Sequence, residues 1–159
     1  MTARATILYC SVHGTTRKVV RRAIERFSFS HSIVNVAEAD AAALDGSEPL
    51  VVFCPTYGDE ELPEPMERLV IAGGPPLSGR GFAICELGNY YGYDKFDFGA
   101  LPILDAVFRA RGGRRIAAGL SLDSLPRIDW PSLLRWCALV DRGVTDFCSA
   151  TDAPASPLR

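Results

Sequence analysis

Residues 5–24 read ATILYCSVHGTTRKVVRRAI, and the change of pattern inside this stretch decides the fold. ATILYC (5–10) is an unbroken apolar run, the kind that forms a strand buried on both faces. From Thr15 the period changes. Val19, Val20, Ala23, Ile24 and Phe27 fall on one helical face and Arg17, Lys18, Arg21 and Arg22 on the other, which predicts a helix over about 15–27. Between strand and helix stands a short polar loop of Ser11, Val12, His13, Gly14, Thr15 and Thr16.

The same alternation continues along the chain. SIVNVAEA (32–39) alternates like a strand, and ADAAAL (39–44) is a short helical stretch. PLVVFCP (49–55) is a second continuous apolar strand. An acidic loop, TYGDEELPEP (56–65), leads to a helix near 64–72 that GGPP (73–76) closes. GFAICEL (81–87) is another buried strand, followed by an aromatic loop, LGNYYGYDKFDFG (87–99). A helix over 99–111 tolerates Pro102 in its first turn, and Gly112 and Gly113 end it. RRIAAGLSL (114–122) reads as a fifth strand. Asp129 can cap a last helix carrying Trp130, Leu133, Leu134, Trp136, Leu139 and Val140. Strands alternating with helices imply an α/β fold, with a parallel sheet covered on both faces and right-handed crossovers. One domain over 1–148 is expected, with a flexible tail at 149–159.

The bulk numbers agree. The chain has 159 residues, 48% apolar and 23% charged, an ordinary globular composition for one core. MTARATILYC has no long apolar segment before polar residues resume, and no run is long enough to span a bilayer, so a cytoplasmic location is expected. The five cysteines, Cys10, Cys54, Cys85, Cys137 and Cys148, form no Cys-x-x-Cys pair, and no histidine clusters with them. They are expected to be small buried hydrophobes rather than a disulfide framework or a metal site. The net charge of −2 hides a segregation: residues 1–30 carry six basic groups and one acidic, residues 31–97 three basic and twelve acidic, and residues 98–159 eight basic and six acidic. Such a distribution either orients a docking partner or forms ordinary solvated faces.

Ligands of doubly wound sheets bind beyond the carboxyl ends of the strands. That points to the loops after the first, third and fourth strands. SVHGTT stands immediately before a helix, where exposed backbone N–H groups and the helix dipole favour an anion and the hydroxyls of Ser11, Thr15 and Thr16 add donors. It lacks a P-loop lysine, and its single glycine excludes the dinucleotide fingerprint, so it suits a monophosphate; the alternative is a plain helix-capping turn. Six residues separate Cys10 from Arg17, one more than the Cys-x5-Arg loop of tyrosine phosphatases. Cys54 and Pro55 stand where a response-regulator receiver would need a phosphorylatable aspartate. The other two loops bring Tyr57 and then Tyr90, Tyr91 and Tyr93 to the same sheet edge, where opposed aromatics can sandwich a flat ring. A planar heterocycle with a monophosphate tail fits, FMN first and another mononucleotide second.

These three loops together resemble the flavodoxin family over about residues 4–145. Ser11-Val12-His13-Gly14-Thr15-Thr16 is similar to that family's Ser/Thr-x-Thr-Gly-x-Thr, and Pro55-Thr56-Tyr57-Gly58-Asp59 to its Ser/Pro-Thr-Trp/Tyr-Gly-Asp. Glu86-Leu87-Gly88-Asn89-Tyr90-Tyr91-Gly92-Tyr93 resembles Gly-x-Gly-Asp-Gln-x-x-Tyr. No long insertion splits the fifth strand, as in the short-chain type. The resemblance implies a three-layer flavodoxin-like sandwich around a five-stranded parallel sheet in order 2-1-3-4-5. It implies FMN, its phosphate on Ser11, Gly14, Thr15, Thr16 and the backbone of Val12 and His13. Pro55, Thr56, Gly88 and Tyr90 would complete the binding loops. Tyr93 would stack on the outer face of the isoalloxazine and Tyr57 on the other. The Gly58-Asp59 peptide would flip toward reduced N5, a flip that glycine eases because it accepts positive φ. Backbone at Leu87 and Asn89 would address the pyrimidine edge.

Asp59, Glu60, Glu61, Glu64, Asp94 and Asp97 around such a ring would disfavour the anionic, fully reduced flavin. The implied function is a low-potential one-electron carrier, monomeric, between a flavin-reductase-type donor and a redox acceptor protein, with no nucleic-acid or membrane partner. An NAD(P)H-dependent FMN or quinone reductase on the same fold is the alternative, and a module that has lost FMN is a third reading. Three departures stand out. His13 replaces a threonine; protonated, it would add a positive charge beside the phosphate, and otherwise it faces solvent. Asn89 replaces an aspartate, removing one negative charge near the ring. Glu86 stands where glycine is common and is expected to restrict its loop.

Overall fold

The computed structural model describes residues 2–56, 62–72, 74, 76–89 and 99–152. Four strands lie side by side, β1 (Arg4–Tyr9), β2 (Ser30–Asn35), β3 (Leu50–Pro55) and β4 (Gly81–Gly88), and every pairing is parallel. The order is β2-β1-β3-β4, and the fifth position is filled by two short pieces, β5 (Arg114–Arg115) and β6 (Leu120–Asp123), both paired with β4. The sheet thus has the order 2-1-3-4-5.

The continuous apolar strands are explained by two cores, one on each face. In β3, Val51 and Phe53 point to the face covered by α1 (Thr15–Ile24) and α4 (Trp130–Asp152). Leu50, Val52 and Cys54 point to the other, covered by α3 (Ala100–Ala110) and by α2, a turn over Glu64–Met66 that continues as a π-helical stretch over Glu67–Ala72. Successive strand side chains alternate between faces, so a strand between two helical layers must be apolar throughout. α1 buries Val19, Val20 and Ala23 of the stripe read from its period, and Thr16 besides, while Ile24 is half-buried.

The differences from the sequence reading have local causes. α1 ends at Ile24, and Phe27 leaves the helix to stack on Phe29, ring centroids 4.6 Å apart. β2 stops at Asn35 because the Asn35 side chain accepts the Ala37 N–H at 3.1 Å and turns the chain into a 3₁₀ helix, Val36–Glu38. Asp40 caps a second 3₁₀ turn, Ala41–Leu44, in the same way. The fifth strand, expected over 114–122, is interrupted. From Phe82 to Cys85 β4 advances three residues, while its partner advances from Arg115 to Leu120, so two extra residues bulge out. Asp129 caps α4, accepting the Ser132 N–H at 3.3 Å. Leu139, one of the apolar residues read in this helix, is 47% exposed. α4 runs on through 149–152, which the sequence reading gave to the tail.

Cys10, Cys54, Cys85 and Cys137 are buried and Cys148 is half-buried. Burial raises the Cys10 thiol, lifts those of Cys54 and Cys85 well above the ordinary range, and pushes Cys137 up to about 12. Because the thiolate is the nucleophile, titration of the folded protein with DTNB at pH 8 should release one fast equivalent, from Cys148, and four more only after urea. A second fast equivalent in native protein would mean a strand end opens readily.

Candidate functional site

β2 lies on one side of β1 and β3 on the other, so the connections diverge at the carboxyl ends of β1 and β3 and leave a crevice there. The loop after β1 fills one wall. Ser11 Oγ accepts the Gly14 N–H at 3.1 Å and lies 3.4 Å from the Arg17 nitrogen, curling the chain. Gly14 precedes α1 with φ +88° and open space where a Cβ would stand. This left-handed conformation is cheap only for glycine. Gly14 has no side chain to cap α1; Ser11 Oγ takes the Arg17 N–H, and the first turn holds no acidic residue. Among the described residues, no protein acceptor takes the N–H groups of Val12, His13, Thr15 or Thr16. A helix's positive end and a set of open donors therefore meet at one point, which fits an anion such as a phosphate without any lysine.

The other wall comes from the roots of two further loops. Val12, His13, Thr15 and Thr16 face Pro55 at the end of β3, Thr56 just beyond it, and Leu87 and Gly88 at the end of β4, across a cavity of about 220 Å3. The Thr56 N–H donates to the Leu87 carbonyl at 2.9 Å and holds these two roots together. Ser11 and Gly14 shape the first loop rather than line the cavity, His13 is exposed, and Asn89 is exposed just beyond β4. Tyr57, Gly58, Asp59, Tyr90 and Tyr93 lie outside the described residues, as do Glu60, Glu61, Asp94 and Asp97.

Ser124 and Leu125 also line the cavity and were missed by the sequence reading. The Ser124 N–H donates to the Gly88 carbonyl at 2.8 Å. They follow the fifth strand, so the same carboxyl-end rule applied to SLDSLPRID would have found them. Glu86 was read as restricting the third loop. Its carboxylate instead turns inward: it is fully buried, accepts hydrogen bonds from Ser121 Oγ at 2.7 Å and Leu101 N–H at 2.8 Å, and meets Thr56 Oγ1 at 3.4 Å. Among the described residues no group of His, Cys, Asp and Glu is placed to hold a metal ion, and no helix is long and apolar enough to cross a membrane.

Fold and cleft define a doubly wound α/β protein with a crevice at its switch point, lined by the open N–H groups at the start of α1. A family model, that of flavodoxin, matches residues 7–130, and the chain belongs to the flavodoxin family, for which this strand order and binding position are the standard illustration. Solved structures agree on the fold. A cysteine-to-alanine variant of the Pseudomonas aeruginosa flavodoxin is 24% identical with a TM-score of 0.75, covering 89% of this chain and 99% of its own. The Streptococcus pneumoniae flavodoxin is 20% identical with a TM-score of 0.73, over 93% and 99%. The Fusobacterium nucleatum flavodoxin bound to flavin mononucleotide is 17% identical with a TM-score of 0.71, over 93% and 98%. No curated protein sequence matches.

Proposed function

We propose that this chain binds FMN and carries single electrons between a flavin-reductase-type donor and a redox acceptor protein. The observation that carries the reading is the convergence of three loop roots on the start of α1, where the N–H groups of Val12, His13, Thr15 and Thr16 have no protein acceptor among the described residues. Thr15 and Thr16, with the N–H groups of Val12 and His13, hold the phosphate in a loop that Ser11 and Gly14 shape. Leu87 and Asn89 address the pyrimidine edge through their backbone, and Pro55, Thr56 and Gly88 form the wall between. Tyr57 and Tyr93 cover the two ring faces, Tyr90 belongs to the same cofactor-binding set, and the Gly58-Asp59 peptide answers the ring's change of protonation. Bound FMN supplies one-electron chemistry that no side chain of this protein offers. The chain contributes binding, orientation and an acidic surround that disfavours added negative charge on the ring.

The test is an FMN titration of cofactor-free protein, followed by anaerobic stepwise reduction watched by absorbance. Tight binding, with a long-wavelength band that rises and falls as electrons are added one at a time, is the expected result. Direct two-electron reduction, with NADPH oxidised by the purified protein unaided, would favour a reductase. A preparation that stays colourless with added FMN would sink the proposal.

The partner's chemistry is read from α1. Arg17, Lys18 and Arg21 are exposed, and none pairs with a carboxylate among the described residues. Lys18 shares a groove of about 650 Å3 with Arg127, and that groove meets the cofactor cleft at Thr15, Ser124 and Leu125. Leu125 is 59% and Val12 42% exposed beside it. A basic rim around apolar residues next to the cofactor suits an acidic carrier protein. Reversing Arg17 and Arg21 to Glu should slow electron exchange with an acidic one-electron protein about tenfold at low ionic strength and hardly at all in high salt. Equal rates and equal salt slopes for both forms would show that α1 is only a solvated face.

A further inference from the structure

We infer that Glu86 is a positioning residue of the cofactor site: its buried carboxylate pins together the roots of the loops after β3 and β4. The consequence for binding rests on the FMN reading above; the geometry does not.

The contacts come from three separate elements. Leu101 N–H donates from the first turn of α3, Ser121 Oγ from β6, and Thr56 Oγ1 stands at the root of the loop after β3. Thr56 Oγ1 also accepts the Ala100 N–H at 3.1 Å. α3 has no side-chain cap of its own and no acidic residue in its first turn. Thr56 and Glu86 therefore cap α3 from across the sheet, and the carboxylate faces the positive end of that helix. Gly99 makes the approach possible, since a Cβ there would lie 2.5 Å from Thr56 Oγ1 and 2.8 Å from Glu86 Oε2.

In the chain, residues 57–61 begin directly after Thr56, and residues 90–98 start four residues after Glu86 and end directly before Gly99. Thr56, and Leu87 and Gly88 directly after Glu86, line the cavity, so the wall that β3 and β4 give it is tied to one carboxylate. A buried charge is a poor way to fill a core, because an apolar side chain would avoid the desolvation. What the charge adds is a geometry three donors must share. Holding these described wall residues in place before a ligand arrives is preorganisation, which raises affinity.

Two measurements on the full chain test this. In cofactor-free protein, hydrogen exchange at the Ala100 and Leu101 amides should be slow in wild type. It should be at least tenfold faster in Glu86→Ala, with the amides of Val51 and Phe53 unchanged. In FMN titrations Kd should rise about tenfold in Glu86→Gln, which keeps the shape and loses the charge, and about a hundredfold in Glu86→Ala, the scale of one and of two charge-assisted hydrogen bonds. Should Glu86→Ala fail to fold, Ser121→Ala, which lies outside the cleft, is expected to weaken FMN severalfold and to speed exchange at Leu101. The inference is overturned if folded Glu86→Gln and Ser121→Ala bind FMN like wild type. It is also overturned if exchange rises evenly across the sheet while affinity per folded molecule is unchanged, since that marks a merely structural carboxylate. Wild-type protein that binds no FMN would sink the functional reading instead, and the exchange data alone would then decide whether Glu86 pins the loop roots.

Discussion

Gly99→Ala is expected to lower folding stability by about 3 kcal/mol, the sum of a backbone strain of about 1–3 kcal/mol and a weakened hydrogen bond to a buried charge. Gly99 has φ +97° and ψ −161°, a region that is essentially closed to any residue with a Cβ. The added methyl would also meet Thr56 Oγ1 and Glu86 Oε2, and neither can retreat without breaking the cap of α3. For a chain of this size the melting temperature should fall by about 10 °C. In urea the midpoint should drop with the m-value unchanged, the sign of lost stability rather than an altered end state. The variant should also bind FMN more weakly at temperatures where it is fully folded, because the strain is released into the roots of the binding loops. A Gly99→Ala protein as stable as wild type would mean that the contact network around Glu86 is looser than its distances imply.

Gly143→Ala is expected to destabilise by about 2 kcal/mol although helix propensity alone predicts a gain of about 1 kcal/mol. Gly143 lies inside α4, where alanine is the better helix former. A Cβ there would collide with the carbonyl oxygen of Ile116 and lie 3.1 Å from its carbonyl carbon. Ile116 cannot move away: its N–H donates to the Phe82 carbonyl at 2.9 Å, and its side chain packs where a Cβ on Gly81 would stand. Two residues further on, Trp136 Nε1 holds the Ala118 carbonyl at 2.7 Å. The bulge in the fifth strand is thus clamped against α4 by a close backbone approach and a hydrogen bond. Urea unfolding measures the sign directly. A stabilised Gly143→Ala would show that the bulge yields and that propensity governs the position.

These two glycines mark the limit of what a linear reading can reach. Gly112 and Gly113 at a helix end could be read from local grammar, because a helix stop is a local event. Gly99 and Gly143 could not, because what they avoid stands on another element. The same division runs through the site. SVHGTT pointed toward an anion because a polar, glycine-bearing loop between strand and helix exposes its own N–H groups whatever surrounds it. The roots at Pro55, Thr56, Leu87 and Gly88 were legible from the carboxyl-end rule, and so would Ser124 and Leu125 have been had it been applied to the fifth strand.

Glu86 read as a misfit while only its neighbours in sequence were considered. Its partners stand 15, 30 and 35 residues away, on α3, after β3 and in β6. Period, loop chemistry and turn residues act over a few residues, so the sequence by itself determined the alternation of strands and helices, the two-faced burial of the sheet and the open N–H groups of the loop after β1. The inward carboxylate, the cap it lends to α3 and the bulge under α4 depend on which elements become neighbours. Only the tertiary structure decided them, because a buried charge or a missing Cβ takes its meaning from atoms that the chain brings close only when it folds.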